Sequence, residues 1–243
     1  MDTPNPVHTS AVTADTTSHR FMAIVFLCMF TGLGITSACI YAFNTFTYCM
    51  RLIFANDRFT ALAWLALIGP FIVSLIIRKG INAISFIGLC ILFILYAALI
   101  GVCFAFILLE FVDSSLFGIF LASCLVFGAA AVIGYRTKTD LTQFKPILYL
   151  LLAGIIVVTP VVLLFPDLDM SLMVGYIGVV VFIGLSALHF QDIKDTGAAI
   201  DLHDPSAKKM ALLSALTMYV DFVNLFFFIL AILVKRKQAI TNN

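Results

Sequence analysis

The chain has 243 residues, of which 63% are hydrophobic and only 11% charged, and its net charge is +1. An ordinary soluble domain carries about a quarter of its residues as Asp, Glu, Lys and Arg, so this composition excludes a soluble fold and implies a polytopic membrane protein in a lipid bilayer. The near-neutral charge, with no basic run interleaved with aromatics, argues against nucleic acid as a partner.

Residues 1–20 are rich in Thr, Ser, Asp and Pro and hold no apolar block, which reads as a disordered polar N-terminal tail. The next run, 21–43, is too long for a signal-peptide core and no small-residue cleavage site follows it. Counted against the ~20 residues that a hydrocarbon core demands, the apolar runs predict seven spans, at 21–43, 60–77, 83–109, 115–134, 146–165, 170–190 and 210–234. The expected fold is all-α, a single seven-helix transmembrane domain over residues 21–234 with a short C-terminal tail, 235–243. Gly69-Pro70 should kink the second span or leave carbonyls for neighbouring helices or water. Small residues spaced by four, such as Gly34 and Ala38 or Gly118 and Ala122, favour close helix packing where lipid gives no hydrophobic drive, and together they suggest one tight bundle.

Loop charge sets the orientation. Arg78 and Lys79 follow span two, Arg136, Lys138 and Lys145 follow span four, and Lys194, Lys208 and Lys209 follow span six, whereas the opposite loops hold only Arg51 and Arg58. The positive-inside rule then places the N-terminus in the cytoplasm. Lys235-Arg236-Lys237 conflicts with this, because an odd number of spans leaves that cluster outside. The compact chain and short tail suggest a bacterial inner membrane. The six cysteines, Cys28, Cys39, Cys49, Cys90, Cys103 and Cys124, form no CxxC pair and mostly sit in apolar runs, so they read as small buried apolar residues rather than metal ligands or disulfides.

The last span holds one charge, Asp221, in about 25 residues. A carboxylate there costs about 2.5–3.5 kcal/mol on insertion scales and usually faces the protein interior or a water-filled cavity. Ser214, Thr217, Asp221 and Asn224 fall on one helical stripe, which Leu225 and Phe228 continue. Two readings fit, a hydrogen-bonding peg between helices and a group that handles protons or cations. Every other carboxylate among the thirteen lies in a tail, a loop or a span end. Intramembrane aspartyl proteolysis needs two deep aspartates, a rhomboid-type protease needs a serine nucleophile with its histidine, and a retinal protein needs a lysine in its last span. None of these patterns is present, so neither an enzyme nor a cofactor is expected.

Three groups at span ends could reach Asp221. Arg78 could turn back along the bundle, or serve only as a positive-inside anchor. His189 could hydrogen-bond Asp221 across a helix interface, as a side chain that ordinarily changes charge between about pH 5 and 8, or face the headgroups. Asp192 lies three residues on, on the face of His189, and could serve as the acidic partner instead.

Two motifs extend this reading. The segment Ala215 to Leu230, ALTMYVDFVNLFFFIL, resembles the LYLDFINLF signature of the Bax inhibitor-1 family, and Phe127 to Leu141, FGAAAVIGYRTKTDL, resembles that family's FG…GYTTKRDL after its fourth helix. The resemblance covers roughly residues 21–234 and points to a bacterial-type member. It implies six helices around a central seventh and a pH-sensitive calcium leak, with calcium as the ion carried. In the bacterial branch an aspartate pair on helices six and seven gates the pore, with an arginine on helix two as ionic partner. Asp221 matches the second aspartate and Arg78, more loosely, the arginine. Registering the family's Asp-x-x-x-Ile-Lys on Ile193-Lys194 puts His189 in the first aspartate's place, while a one-turn slip offers Asp192. Thr217 and Asn224 would then line the ion path, and Asp221 is a candidate calcium contact. The alternative function is a non-conducting membrane regulator that binds membrane proteases or cell-death and stress factors. A proton-coupled transporter ranks third, since the chain has no convincing internal repeat.

Overall fold

The computed structural model describes residues 6–46, 54–55, 58–109, 115–164, 170–202 and 204–241. Among the described residues seven α-helices follow one another: α1 (Pro6–Thr45), α2 (Ala61–Gly80), α3 (Phe86–Leu109), α4 (Ser115–Arg136), α5 (Lys145–Leu164), α6 (Ser171–Ala199) and α7 (Pro205–Thr241). Two paired two-residue strands, β1 (Phe54–Ala55) and β2 (Arg58–Phe59), lie between α1 and α2, and a 3-10 turn, Leu141–Phe144, leads into α5. Stretches long and apolar enough to cross a membrane occur in α1 and in α3 to α7. The 20-residue α2 carries Arg78 and Lys79 in its last turn. The protein is an all-α polytopic membrane protein.

The helix ends differ from the predicted spans. Part of the polar segment expected to be disordered belongs to α1, which starts at Pro6, and Ser18 is buried there against the backbone of Gly197. Lys194, Lys208 and Lys209, counted above as loop charges, are helical, and the expected C-terminal tail is helical as far as Thr241. At ~1.5 Å per residue α7 is roughly 55 Å long, well beyond a ~30 Å hydrocarbon core, because its backbone hydrogen bonds persist into the polar region. Its basic end is partly accounted for: Arg236 stacks over the Tyr176 ring on α6, 5.9 Å from the centroid, a contact worth about 0.5–1 kcal/mol at exposed sites.

The segment read as one domain groups into two compact units, Met1–Asp113 with Thr196–Tyr219, and Ser114–Asp195 with Val220–Asn243. In the first, α1 and α2 both pack along α3. Phe21, Val25 and Met29 recur every four residues on α1 and are buried, the spacing of one helix face. Gly32 lies under the rings of Phe93 and Tyr219, and Gly101 lies against the backbone of Thr36. The Tyr219 hydroxyl meets Thr36 Oγ1 at 2.5 Å, and Thr36 Oγ1 also lies 3.0 Å from the Gly32 and Ala97 carbonyls. A threonine has one hydroxyl proton, so Tyr219 donates to Thr36 while Thr36 donates to a carbonyl.

Pro70 lies inside α2 without ending it. Proline lacks the N–H that would bond the carbonyl four residues back, here that of Ala66. The Cys103 thiol of α3 donates to that carbonyl at 2.9 Å, so a neighbouring helix satisfies it as the sequence suggests. The expectation of buried cysteines needs correction: Cys28, Cys39, Cys90, Cys103 and Cys124 are only half-buried. Cys49 lies outside the described residues.

The second unit holds α4, α5, most of α6 and the later part of α7. Phe127 of α4 stacks edge-on against Phe190 of α6 and Phe222 of α7. Gly175 and Gly178 of α6 lie against Ile232 and Phe228 of α7, so the two helices run antiparallel. The small-xxx-small expectation is displaced. Among the described residues a Cβ on Gly34 or Gly118 would meet nothing within 4 Å, whereas one on Gly134 of α4 would run into the Ala187 carbonyl oxygen of α6.

Candidate gating site

In the second unit α6 buries Leu185, Ser186, Ala187 and Leu188 in succession. His189 follows, with its side chain 13% exposed. Gly184 lets Leu148 of α5 approach, since a Cβ there would lie 2.8 Å from Leu148 Cδ2. That seats the next α5 residue, Tyr149, beside the imidazole. From α7 comes Asp221, 3% exposed, next to Phe222, which packs on Phe127.

His189 Nδ1 lies 2.6 Å from Asp221 Oδ2, and His189 Nε2 lies 3.3 Å from the Tyr149 hydroxyl. The imidazole is therefore held at both nitrogens. With a proton on Nδ1 it donates to the carboxylate and accepts from Tyr149; with both nitrogens protonated it donates to each. A short, charge-assisted bond of this kind is about twice as strong as a neutral one.

Of the two candidates for the partner of Asp221, the structure brings His189 against it. Asp192 pairs with Lys145 Nζ of α5 at 3.4 Å, and both side chains are partly exposed. Its direction along α6 carries it one turn nearer the helix end, where a lysine is within reach. The Asn224 amide donates to the Val220 carbonyl of its own helix at 2.8 Å. In the first unit the exposed Arg78 donates to Thr217 Oγ1 at 3.4 Å, and Thr217 donates to Leu213 O at 3.1 Å.

Sequence reasoning missed Tyr149, whose only signal is its place four residues after Lys145 on the face of α5 that meets Asp192 and His189. It also missed how the lysines are used. Lys209 Nζ donates to the Ile81 and Ile84 carbonyls beyond α2, at 3.2 and 2.7 Å. Lys194 Nζ donates to the Tyr135 carbonyl at 2.9 Å and lies over the Tyr135 ring. Lys194 thus caps the carbonyl-rich end of α4, where a cation is favoured, and Lys209 ties down the turn between α2 and α3. Buried Gln191 orders the turn before α5, accepting from Leu141 N and donating to Thr139 O. Asp140 caps that turn through the Thr142 side chain and backbone N–H, bonds that hold its carboxyl below the ordinary range.

Fold and site together define a polytopic helical membrane protein with an ionisable pair buried in it. The family model described as "Inhibitor of apoptosis-promoting Bax1" matches residues 18–238. The chain is 35% identical over 222 residues to "Inner membrane protein YbhL" of Escherichia coli (strain K12), covering 89% of this chain and 92% of that protein. It is 31% identical over 221 residues to an uncharacterized protein of Borreliella burgdorferi, covering 90% and 94%, and 30% identical over 179 residues to "Uncharacterized protein RP147" of Rickettsia prowazekii, covering 74% and 75%. With nearly the whole chain matched, this protein belongs to the Bax inhibitor-1 family.

Proposed function

We propose that the protein is a pH-sensitive calcium leak of a bacterial inner membrane, its N-terminus cytoplasmic, and that the His189–Asp221 pair is its proton-responsive element. The observation that carries this reading is the 2.6 Å contact between an imidazole and a buried carboxylate inside a membrane-crossing helix. The pair can hold no proton, one or two, with net charge −1, 0 or +1. The neutral, singly protonated state is the least costly to bury, because each charge is compensated by the other. Adding or removing a proton leaves a net charge in a poorly solvated place, and that penalty favours a rearrangement admitting water and ions.

This differs from two carboxylates sharing one proton, where like charges oppose joint ionisation. Here opposite charges attract, so the response to acid should lose its double-carboxylate character. Calcium is cargo in this scheme. A resident calcium site takes six to eight oxygens, and among the described residues no three His, Cys, Asp or Glu side chains gather. Asp221 is accordingly assigned a transient contact with calcium, made when the pair opens. No catalytic step is proposed.

The test is calcium flux into dye-loaded liposomes containing the purified protein, recorded from about pH 5 to 8. Asp221→Asn should abolish or sharply alter the pH dependence, and His189→Asp should change its shape. Normal flux in Asp221→Asn would reduce that residue to a hydrogen-bonding peg. A wild-type protein that passes no calcium would leave a non-conducting regulator of membrane proteases or stress factors.

A further inference from the structure

The contacts on the outer side of the imidazole carry a step beyond the pair itself. Tyr149 is 43% exposed, His189 13% at its side chain, and Asp221 3%. Exposure thus falls along the chain of hydrogen bonds from α5 through α6 to α7. Lys145 and Tyr149 are four apart on α5, and Asp192 and His189 three apart on α6, so each helix presents two groups on one face. They pair as two rungs, Lys145 with Asp192 at 3.4 Å and Tyr149 with His189 at 3.3 Å. The charged rung lies one helical turn nearer the start of α5, about 6 Å along the axis. That places Tyr149 just inside the level where a lysine and an aspartate meet water, a depth at which tyrosine is favoured in membranes.

We infer that Tyr149 is a positioning residue for the pair, and that the α5 face it occupies is the side from which His189 and Asp221 exchange protons. This rests on the proton-responsive reading above. A phenol both donates and accepts. When neutral His189 carries its proton on Nδ1, Tyr149 donates to Nε2. When a proton arrives at Nε2, the phenol oxygen accepts from it instead, and the Nδ1 proton is free to pass to the Asp221 carboxylate. That transfer leaves a neutral imidazole protonated on Nε2 and a neutral carboxylic acid, so one proton has moved inward and none is lost. The ring keeps its outer partner in every state, and therefore stays aimed at Asp221. Among the described residues, the ion pairs at this face are His189 with Asp221 from α7, and Asp192 on the same helix with Lys145 from α5.

The experiment compares wild type with Tyr149→Phe, which keeps the ring and removes only the hydroxyl from a partly exposed side chain. Because a hydrogen bond to a charged imidazole is stronger than one to a neutral imidazole, losing it should move the midpoint of the calcium-flux pH profile about 0.5–1 pH unit toward acid. An unchanged profile overturns the inference. A second measurement does not depend on flux: in the full-length, detergent-solubilised protein labelled with 15N-histidine, the His189 Nε2 resonance, assigned with a His189→Asn variant, should move in Tyr149→Phe. A resonance that stays put means the hydroxyl does not hold the ring and sinks the positioning role. If wild type passes no calcium but the resonance moves, the leak reading fails while Tyr149 keeps its place beside the pair.

Discussion

His189→Leu removes the imidazole while keeping a side chain of similar bulk on α6. What it leaves is a carboxylate 3% exposed whose neighbour at 2.6 Å is gone. Removing one member of a buried pair characteristically costs about 3–5 kcal/mol, because the other charge is left uncompensated. For a chain of this size each kcal/mol moves the unfolding midpoint by about 2–4 °C, so His189→Leu should melt roughly 6–20 °C below wild type at pH 8 in detergent. Asp221→Asn keeps the shape and can still bond the imidazole through its amide, so its loss should be near 1 kcal/mol, a few degrees. The sign with pH follows from the charge left behind. In His189→Leu the lone carboxylate is the source of the cost, and taking up a proton removes it, so the gap from wild type should narrow between pH 8 and pH 5. Thermal unfolding followed by intrinsic fluorescence, at both pH values, is the assay. A midpoint within about 2 °C of wild type at pH 8, or a gap that does not change with acid, would refute the argument that this pair is an electrostatic unit.

The parts of the fold legible in the sequence are those that the bilayer dictates. A chain crossing hydrocarbon must satisfy its own backbone polar groups, so apolar run length alone yields the seven helices, and a single deep charge yields Asp221. His189 is legible through the Ile193-Lys194 register, which sequence alone leaves open to Asp192. Its assignment depends on which turn of α6 faces Asp221, and only packing determines that. Helix ends are illegible for a related reason: beyond the membrane, hydropathy changes while backbone hydrogen bonding does not, so Lys208 and Lys235 read as loop and fold as helix. Close approach is illegible too. Gly34 and Ala38 have the right spacing, but among the described residues nothing lies within 4 Å of a Cβ on Gly34, whereas Gly134 matters because Ala187 of another helix lies against it. Tyr149 and Cys103 belong to the same class, as ordinary residues given a role by a neighbouring helix: His189 Nε2 for one and the Ala66 carbonyl beside Pro70 for the other.

Thr36→Val should leave the buried Tyr219 hydroxyl without its acceptor at a cost of about 1–3 kcal/mol, seen as a lower melting midpoint that Tyr219→Phe in the same background largely restores. Asp140→Ala should speed hydrogen exchange of the Thr142 amide at neutral pH. The Asp140 carboxyl is held lower in the fold than in the unfolded chain, so its contribution is present above the ordinary carboxylate range and is lost as pH falls; mutant and wild type should therefore converge in acid. Gly134→Ala offers the sharpest packing test. The added Cβ would run into the Ala187 carbonyl oxygen and lie 2.9 Å from its carbon, and these are backbone atoms that cannot rotate away, so α4 and α6 must part. Overpacking of this sort costs about 1–3 kcal/mol. Ala187 is two residues before His189, so the separation should also disturb the His189–Asp221 contact and alter the pH profile of flux, an effect that a purely local loss of stability would not produce. Gly128→Ala on the same helix, where among the described residues an added Cβ meets nothing within 4 Å, serves as the control. If both variants melt alike and leak alike, the backbone contact at Gly134 does not support the site.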